Sequence, residues 1–318
     1  MLARIAHELF WLGRNLSRAE HTARMLDGVF QIEIQARADD PSGVTLGWGS
    51  LLAIMGAGDG SPARRDEVLR ELAIDDTNPA SIVSCLNRAR EGARTVRDVI
   101  SAEMWEGLNT THLRLLESDL ELRLRNDPYG LFRDVRERCA LFWGLTSRTM
   151  LRDEARAFLS AGGRIEAGDM MLRMLRVALP GVATFDAEDQ RVDGQALALL
   201  HAVGAFQAFR RSVPAPPNAL PVTRFLLFER AYPDSVAAAV DAVQEALTMA
   251  DDNPRNSEPV LRLSRLSADL EFRRRSEDAD ADLPVLCATV QRELALAEQD
   301  IADRYFAGAA AAPGVVTM

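Results

Sequence analysis

Lysine is missing from this 318-residue sequence: all 37 basic residues are arginine. That excludes Schiff-base catalysis, a phosphate-loop lysine and a lysine general base. A GC-rich coding sequence accounts for arginine-only usage, and the chemical exclusions hold either way. Cysteine is scarce. Cys85, Cys139 and Cys287 are odd in number, widely spaced and without a CxxC, which fits reduced core thiols and not a disulfide framework or a zinc site. His7, His21, His112 and His201 show no Glu-x-x-His, HExxH or His-x-His spacing, so the di-iron pattern of helical bundles lacks its ligands. Gly162-Gly163 follows no strand and belongs to no GxGxxG, so it reads as a pair of packing or kink glycines. A G-x-S-x-G elbow is absent as well. No run approaches the ~20 apolar residues of a membrane span, and the first residues lack the basic and apolar regions of a secretory signal. The expectation is a soluble, cytoplasmic protein without metal or cofactor.

What is present is ordinary globular chemistry, with 47% hydrophobic and 26% charged residues. The net charge of −10 argues against a nucleic-acid partner, which needs a clustered positive surface. The one dense basic run, Arg273-Arg274-Arg275, is followed at once by Glu277-Asp278. It reads as a solvated helix end.

Nearly every segment has helical periodicity. Ile5, Leu9, Leu12, Leu16, Ala19, Ala23, Leu26 and Phe30 step by fours and threes, a heptad-like seam suited to a bundle. Further helices are predicted near 63–74, 80–101, 103–126, 130–160, 164–178, 193–212, 218–230, 234–250, 257–275 and 283–306. Breaks fall at Asp39-Asp40-Pro41-Ser42-Gly43, Asn78-Pro79, Asn126-Asp127-Pro128, Leu179-Pro180-Gly181, Pro214 to Pro217 and Asp252-Asn253-Pro254. Strand alternation is absent, so the fold class is all-α, a large multi-helix bundle. The Ala-rich tail 308–318 is expected to fray. The four tryptophans, Trp11, Trp48, Trp105 and Trp143, read as core anchors.

Two echoes suggest related halves, 1–150 and 151–307, within one compact unit spanning 1–318. Phe10–Leu26 laid over Leu159–Leu175 matches Gly13 with Gly162, Arg24 with Arg173, Met25 with Met174 and Leu26 with Leu175. Leu16/Ile165 and Glu20/Asp169 are conservative pairs. A second echo sets Asn78-Pro-Ala-Ser-Ile82 beside Tyr232-Pro-Asp-Ser-Val236. A fixed offset near half the chain length is the mark of an internal repeat.

The echoed helices carry the candidate site. Glu20–Arg24 and Asp169–Arg173 have the i,i+4 order of an intrahelical ion pair. Arg18 lies one heptad from both Trp11 and Met25, so it either snorkels or is directed at an interior anion or carboxylate. Arg14 and Glu166 complete the set of Arg14, Arg18, Glu20, Arg24, Glu166, Asp169 and Arg173. Glu103, Trp105 and Asn109 are secondary candidates, for which a half-exposed helix turn is the plainer account. No residue is assigned a catalytic role.

The stretch Phe10-Trp-Leu-Gly-Arg-Asn-Leu-Ser-Arg-Ala-Glu-His-Thr-Ala-Arg-Met-Leu26 resembles the opening of the bacterial alpha-E family, helical proteins named for a Glu-Arg motif. Ala93–Asn109, Gly144–Leu175 and Phe225–Val236 resemble three further signatures in the family's order. The sequence departs from the pattern at the motif itself: the first Glu-Arg is Ser17-Arg18 and the second is Glu166-Ala167. Each copy keeps one half, and a pair of Arg18 with Glu166 across the two halves is one expectation. The resemblance implies partners: a circularly permuted ATP-grasp ligase-like protein, and in the same pathway a transglutaminase-like protease or a proteasome-related peptidase. It therefore implies an accessory or scaffold protein that presents a peptide to an ATP-grasp-type amide ligase. The alternatives are an enzyme of amide-bond modification with an Arg/carboxylate cleft, and a homo-oligomeric structural bundle.

Overall fold

The computed structural model describes residues 1–39, 46–179, 190–276 and 280–308. The described residues form fourteen α-helices and one short 3-10 turn, with no strand. Two long helices lie at the centre, α1 (Ala3–Asp39) and α8 (Glu154–Ala178). A one-sided seam would leave α1 amphipathic, yet from Leu9 to Val29 it is buried or half-buried at every position. The stepping apolar residues supply one face, and small or polar residues such as Gly13, Ser17 and Thr22 fill the others. Such a helix is enclosed on all sides, not laid on a surface.

Glycines set how closely the two helices cross. A Cβ on Gly13 would overlap the Leu159 carbonyl oxygen, and one on Gly162 would overlap that of Phe10. Gly163 faces Trp143, with ring carbons 2.6 and 2.8 Å from where its Cβ would stand. These are packing glycines in an unbroken helix. The break expected between 160 and 164 lies instead at 150–153, where Asp153 caps α8 by accepting a hydrogen bond from the Arg156 N–H.

Around α1 pack α4 (Ile82–Thr95), α7 (Pro128–Thr149) and α9 (Gln190–Ala202); against α8 lie α12 (Val236–Ala250), α14 (Leu283–Tyr305) and α2 (Trp48–Met55). The remaining elements, α3 (Arg65–Ala73), α5 (Ala102–Glu117), α6 (Leu120–Asn126), α10 (Phe206–Ser212), α11 (Ala219–Phe228) and α13 (Glu258–Arg275), complete the outer layer. The segment 103–126 is two helices because Asp119 stops one and caps the next through the Leu122 N–H. Likewise 193–212 is split by Gly204, at φ +72°. The short apolar helix α2 has no counterpart among the predicted helices. Its eight residues are too few for a helical period to stand out.

The second echo appears as matching caps. Ser81 accepts from the Ser84 N–H at 3.1 Å to open α4, and Ser235 from the Ala238 N–H at 3.1 Å to open α12. The breaks at 39–43 and 179–181 and the tail from 309 onward lie wholly or largely outside the described residues. All three cysteines are buried and free; burial pushes the Cys287 thiol up to about 12. The four tryptophans are half-buried at the edge of the core, not at its centre.

The end of α14 is pinned to the start of α1. Phe306 lies 5.4 Å from both Phe10 and His7, and Tyr305 lies 5.1 Å from Phe158. Arg304 donates twice to the Asp251 carboxylate, at 2.6 and 2.9 Å. This anchor lies two turns of α14 beyond Glu298, whose carboxylate the site uses.

Candidate functional site

Three of the predicted residues meet where α1 crosses α8. Arg18 grips Glu166 side-on with one edge of its guanidinium: Nε donates to Oε1 at 2.5 Å and Nη2 to Oε2 at 3.0 Å. Arg14 donates from Nε to Oε2 at 2.9 Å, and its Nη2 lies 2.8 Å from the same oxygen. Its Nη1 reaches the Glu298 carboxylate on α14. The Arg14 guanidinium also lies over the Trp11 ring, 4.9 Å from the centroid. Glu166 has no exposed surface, and the Arg14 side chain is 8% exposed; Arg18, at 25%, is the most open of the three.

The crossing explains why these side chains meet. Gly13 and Gly162 bring the two backbones together, and Arg14, next to Gly13, and Arg18, five positions on, then span a short gap to Glu166, four positions beyond Gly162.

The protonation states follow from the geometry. Burial alone would raise the Glu166 pKa, but the Arg18 and Arg14 guanidiniums outweigh it and hold the carboxyl down at about 2. Burial opposes the Arg14 charge, and the Glu166 and Glu298 carboxylates overcome it, so its pKa is raised. Glu298 is pushed above the usual carboxylate range, mainly by burial, with Glu166 and Asp169 adding like-charge repulsion against the pull of Arg14.

The other candidates stand apart from this cluster. Arg24 turns back along its own helix, with Nε and Nη2 donating to Glu20 Oε1 at 3.1 and 2.7 Å. Arg173 does the same to Asp169 Oδ2 at 2.7 Å, while Gln291 of α14 donates to Asp169 Oδ1 at 2.8 Å. The seven residues therefore do not line one cleft. They divide into one buried interhelical cluster and two flanking intrahelical pairs. Of the secondary candidates, Asn109 accepts from Arg90 Nε and Nη2 at 3.2 Å each, and Arg90 lies 5.5 Å from the Trp105 centroid. Glu103 is exposed. Among the described residues, no group of three or more His, Cys, Asp or Glu side chains could hold a metal ion.

Sequence reasoning missed Glu298. Its neighbours Leu294, Ala297 and Ile301 mark the buried face of α14, but a glutamate beside that stripe looks like its polar border. Position 17, beside Arg18, holds a buried serine whose carbonyl oxygen lies 2.7 Å from His21 Nδ1. Position 167 holds a buried alanine. One carboxylate at the crossing thus serves two arginines, and α14 supplies the second.

The model of the Alpha-E family, described as a predicted alpha-helical domain with a conserved ER motif, matches residues 1–306. The chain belongs to the Alpha-E family. Literal Glu-Arg dipeptides occur elsewhere in this Alpha-E chain, at Glu137-Arg138 and Glu229-Arg230. Arg230 ties the end of α11 to Asp241 of α12 and, through Nη2 at 3.1 Å, to the Ser267 carbonyl of α13. Similar proteins include an uncharacterised protein of Mycobacterium bovis and uncharacterised proteins of two Mycobacterium tuberculosis strains. Each is 25% identical over 337 aligned residues, which take in 98% of this chain and 37% of the relative. The chain thus spans little more than a third of the length of these relatives. No solved structure matches it. Among the described residues, no helix is long and apolar enough to cross a membrane.

Proposed function

We propose that this Alpha-E domain is a non-catalytic helical partner of an ATP-grasp-type amide ligase, organising the complex or presenting a peptide to it. The observation that carries this reading is the closure of the Arg14–Arg18–Glu166 cluster. A carboxylate held at about 2 by two guanidiniums is a poor acid or base at neutral pH, where catalysis favours a matched pKa. The Nε/Nη2 edge of Arg18, one of the two edges with which an arginine grips a carboxylate, is already engaged by Glu166. The cluster thus suits a rigid frame better than a reaction centre. The greater length of the mycobacterial relatives favours a domain that works alongside other modules. The ligase partnership itself rests on the family resemblance.

The same reading treats 1–150 and 151–307 as related halves. It is supported by the Gly13/Gly162 crossing, the matching Ser81 and Ser235 caps, and the packing of α1 on α4 and of α8 on α12.

The test is size-exclusion chromatography with light scattering on the protein mixed with an ATP-grasp protein encoded beside it, with and without ATP. A stoichiometric complex is expected, with amide ligation faster for the pair than for the ligase alone. Two separate peaks at micromolar concentration in both conditions would overturn the reading.

A further inference from the structure

The inner edge of Arg18 is engaged by Glu166, and the rest of its guanidinium borders the seam between α1 and α4. These two helices run antiparallel. A Cβ on Gly92 would lie 3.6 Å from the Glu8 carbonyl oxygen, and Arg88, one turn earlier in α4, donates from Nε to Asn15 Oδ1 at 3.0 Å. The same register sets Cys85 beside Arg18. Burial pushes the Cys85 thiol up, and the guanidiniums of Arg18 and Arg88 are the two cations that pull against it. Both arginines therefore flank one buried thiol.

Donors along this seam are open. The Arg18 side chain is 25% exposed. Its Nη1 has no partner among the described residues and is not one of their buried unpaired donors, so solvent reaches it. Arg88 is exposed yet fixed: Nη2 donates to the Pro79 carbonyl and stands 3.4 Å from Cys85 Sγ. Each of these acceptors is neutral, and among the described residues no carboxylate pairs with Arg88. A cation held in place by neutral groups is preorganised for an anion. Trp11, two turns before Arg18, is half-buried. Its indole N–H is unpaired among the described residues and also lies outside the buried set.

The charges and spacing specify the ligand. Arg14, Arg18 and Arg88 face the Glu166 and Glu298 carboxylates, while Asp169 is answered by Arg173. The charge of Arg88 is left over. A single positive charge suits a carboxylate, whose planar oxygens match guanidinium donors, better than a phosphate dianion. Trp11 lies about 10 Å from Arg18 along the helix, which an extended peptide covers in about three residues. An indole N–H there suits a peptide carbonyl.

We propose that the Arg18–Arg88 seam binds the C-terminal carboxylate of a peptide, with Trp11 donating to a carbonyl further back along that peptide. The peptide as occupant rests on the ligase reading above; the carboxylate site stands without it.

The test is calorimetric titration of the full chain with acetyl-Ala-Ala-Phe, with its C-terminal amide and with sodium acetate, at constant ionic strength. The tryptophan indole N–H resonances are followed in parallel by NMR. Saturable binding of the peptide acid with a shift at Trp11 is expected, the amide and acetate each being weaker by about tenfold or more. Arg88→Gln should weaken the acid by a similar factor with an unchanged melting curve, because no carboxylate loses its partner. Should that variant fail to fold, Trp11→Phe removes the indole donor and should weaken the peptide about threefold or more. Absence of saturable binding, an amide or acetate bound as tightly as the acid, or unchanged affinity in a folded variant would each overturn the proposal. Peptide binding without an ATP-grasp complex would overturn the ligase reading alone, and a complex without peptide binding would overturn this site alone.

Discussion

Arg18 and Arg24 are on the same helix, less than two turns apart, and both end on a carboxylate; their consequences differ. Arg24 closes on Glu20 within α1, half-exposed, in an i,i+4 pair of a kind worth about 0.2–0.5 kcal/mol. Arg18 crosses to Glu166 on α8, which has no exposed surface and also holds Arg14. In the first pair water competes with the partner, and either group can be lost cheaply. In the second Glu166 is out of reach of water and Arg14 nearly so, so removing one charge strands the others. Closeness to the Gly13/Gly162 crossing, not residue type, separates an incidental pair from a structural one.

The largest effect should come from breaking the buried side of this comparison. Glu166→Ala leaves two guanidiniums without their shared carboxylate and should cost about 3–5 kcal/mol, the range for a buried pair that loses one partner, read from the urea midpoint. Arg18→Ala and the double variant complete a thermodynamic cycle. A loss in the double variant well below the sum of the single losses marks direct coupling, and additive losses would count against it.

The acid limb sharpens the same contrast. The folded-state pKa of Glu166, about 2, lies below its ordinary 4.5. Its contribution is therefore full above about pH 4.5 and is lost as pH falls towards about 2. The shift corresponds to about 3 kcal/mol. Glu298, with a raised pKa, runs the other way and loses stability as pH rises through its folded value. In Glu166→Gln the stability gap to the wild type should close between those two pH values, as measured by denaturant midpoints across the range. A gap that stays constant with pH would contradict the assignment.

Glycine substitutions probe the crossing without touching a charge. Gly162→Ala places a methyl against the Phe10 carbonyl and should cost about 1–3 kcal/mol or more by forcing the helices apart. Gly107→Ala, where a Cβ meets nothing within 4 Å, should stabilise slightly, because alanine is the better helix former. The smallest effect belongs to the half-buried intrahelical pairs. Glu20→Gln or Asp169→Asn should change the melting point little, with a loss of about 0.5 kcal/mol or less. A loss comparable to that of Glu166→Ala would erase the distinction between the two classes of pair.

Much of this was legible in the chain. Helical periodicity and Pro or Asp/Ser punctuation located most helices, because caps and apolar spacing act within a few residues of one another. The Glu20–Arg24 and Asp169–Arg173 pairs could be read for the same reason. Arg18 could be narrowed to snorkelling or an interior carboxylate from its apolar column, and Glu166 came forward as its partner only through the altered Glu-Arg halves. Glu298 gave no signal. Its link to Arg14 joins residues 284 positions apart, and no local pattern encodes that meeting.

The sequence by itself determined the all-α class, most of the places where helices begin and end, and the intrahelical ion pairs, since each depends on interactions a few residues long. Only the tertiary structure decided that α1 and α8 are enclosed on all sides and that their glycines set the distance of closest approach. It also decided that one carboxylate would be shared by two arginines. Those outcomes depend on which helix faces are brought together, and burial then turns an ordinary ion pair into one that cannot be lost without cost.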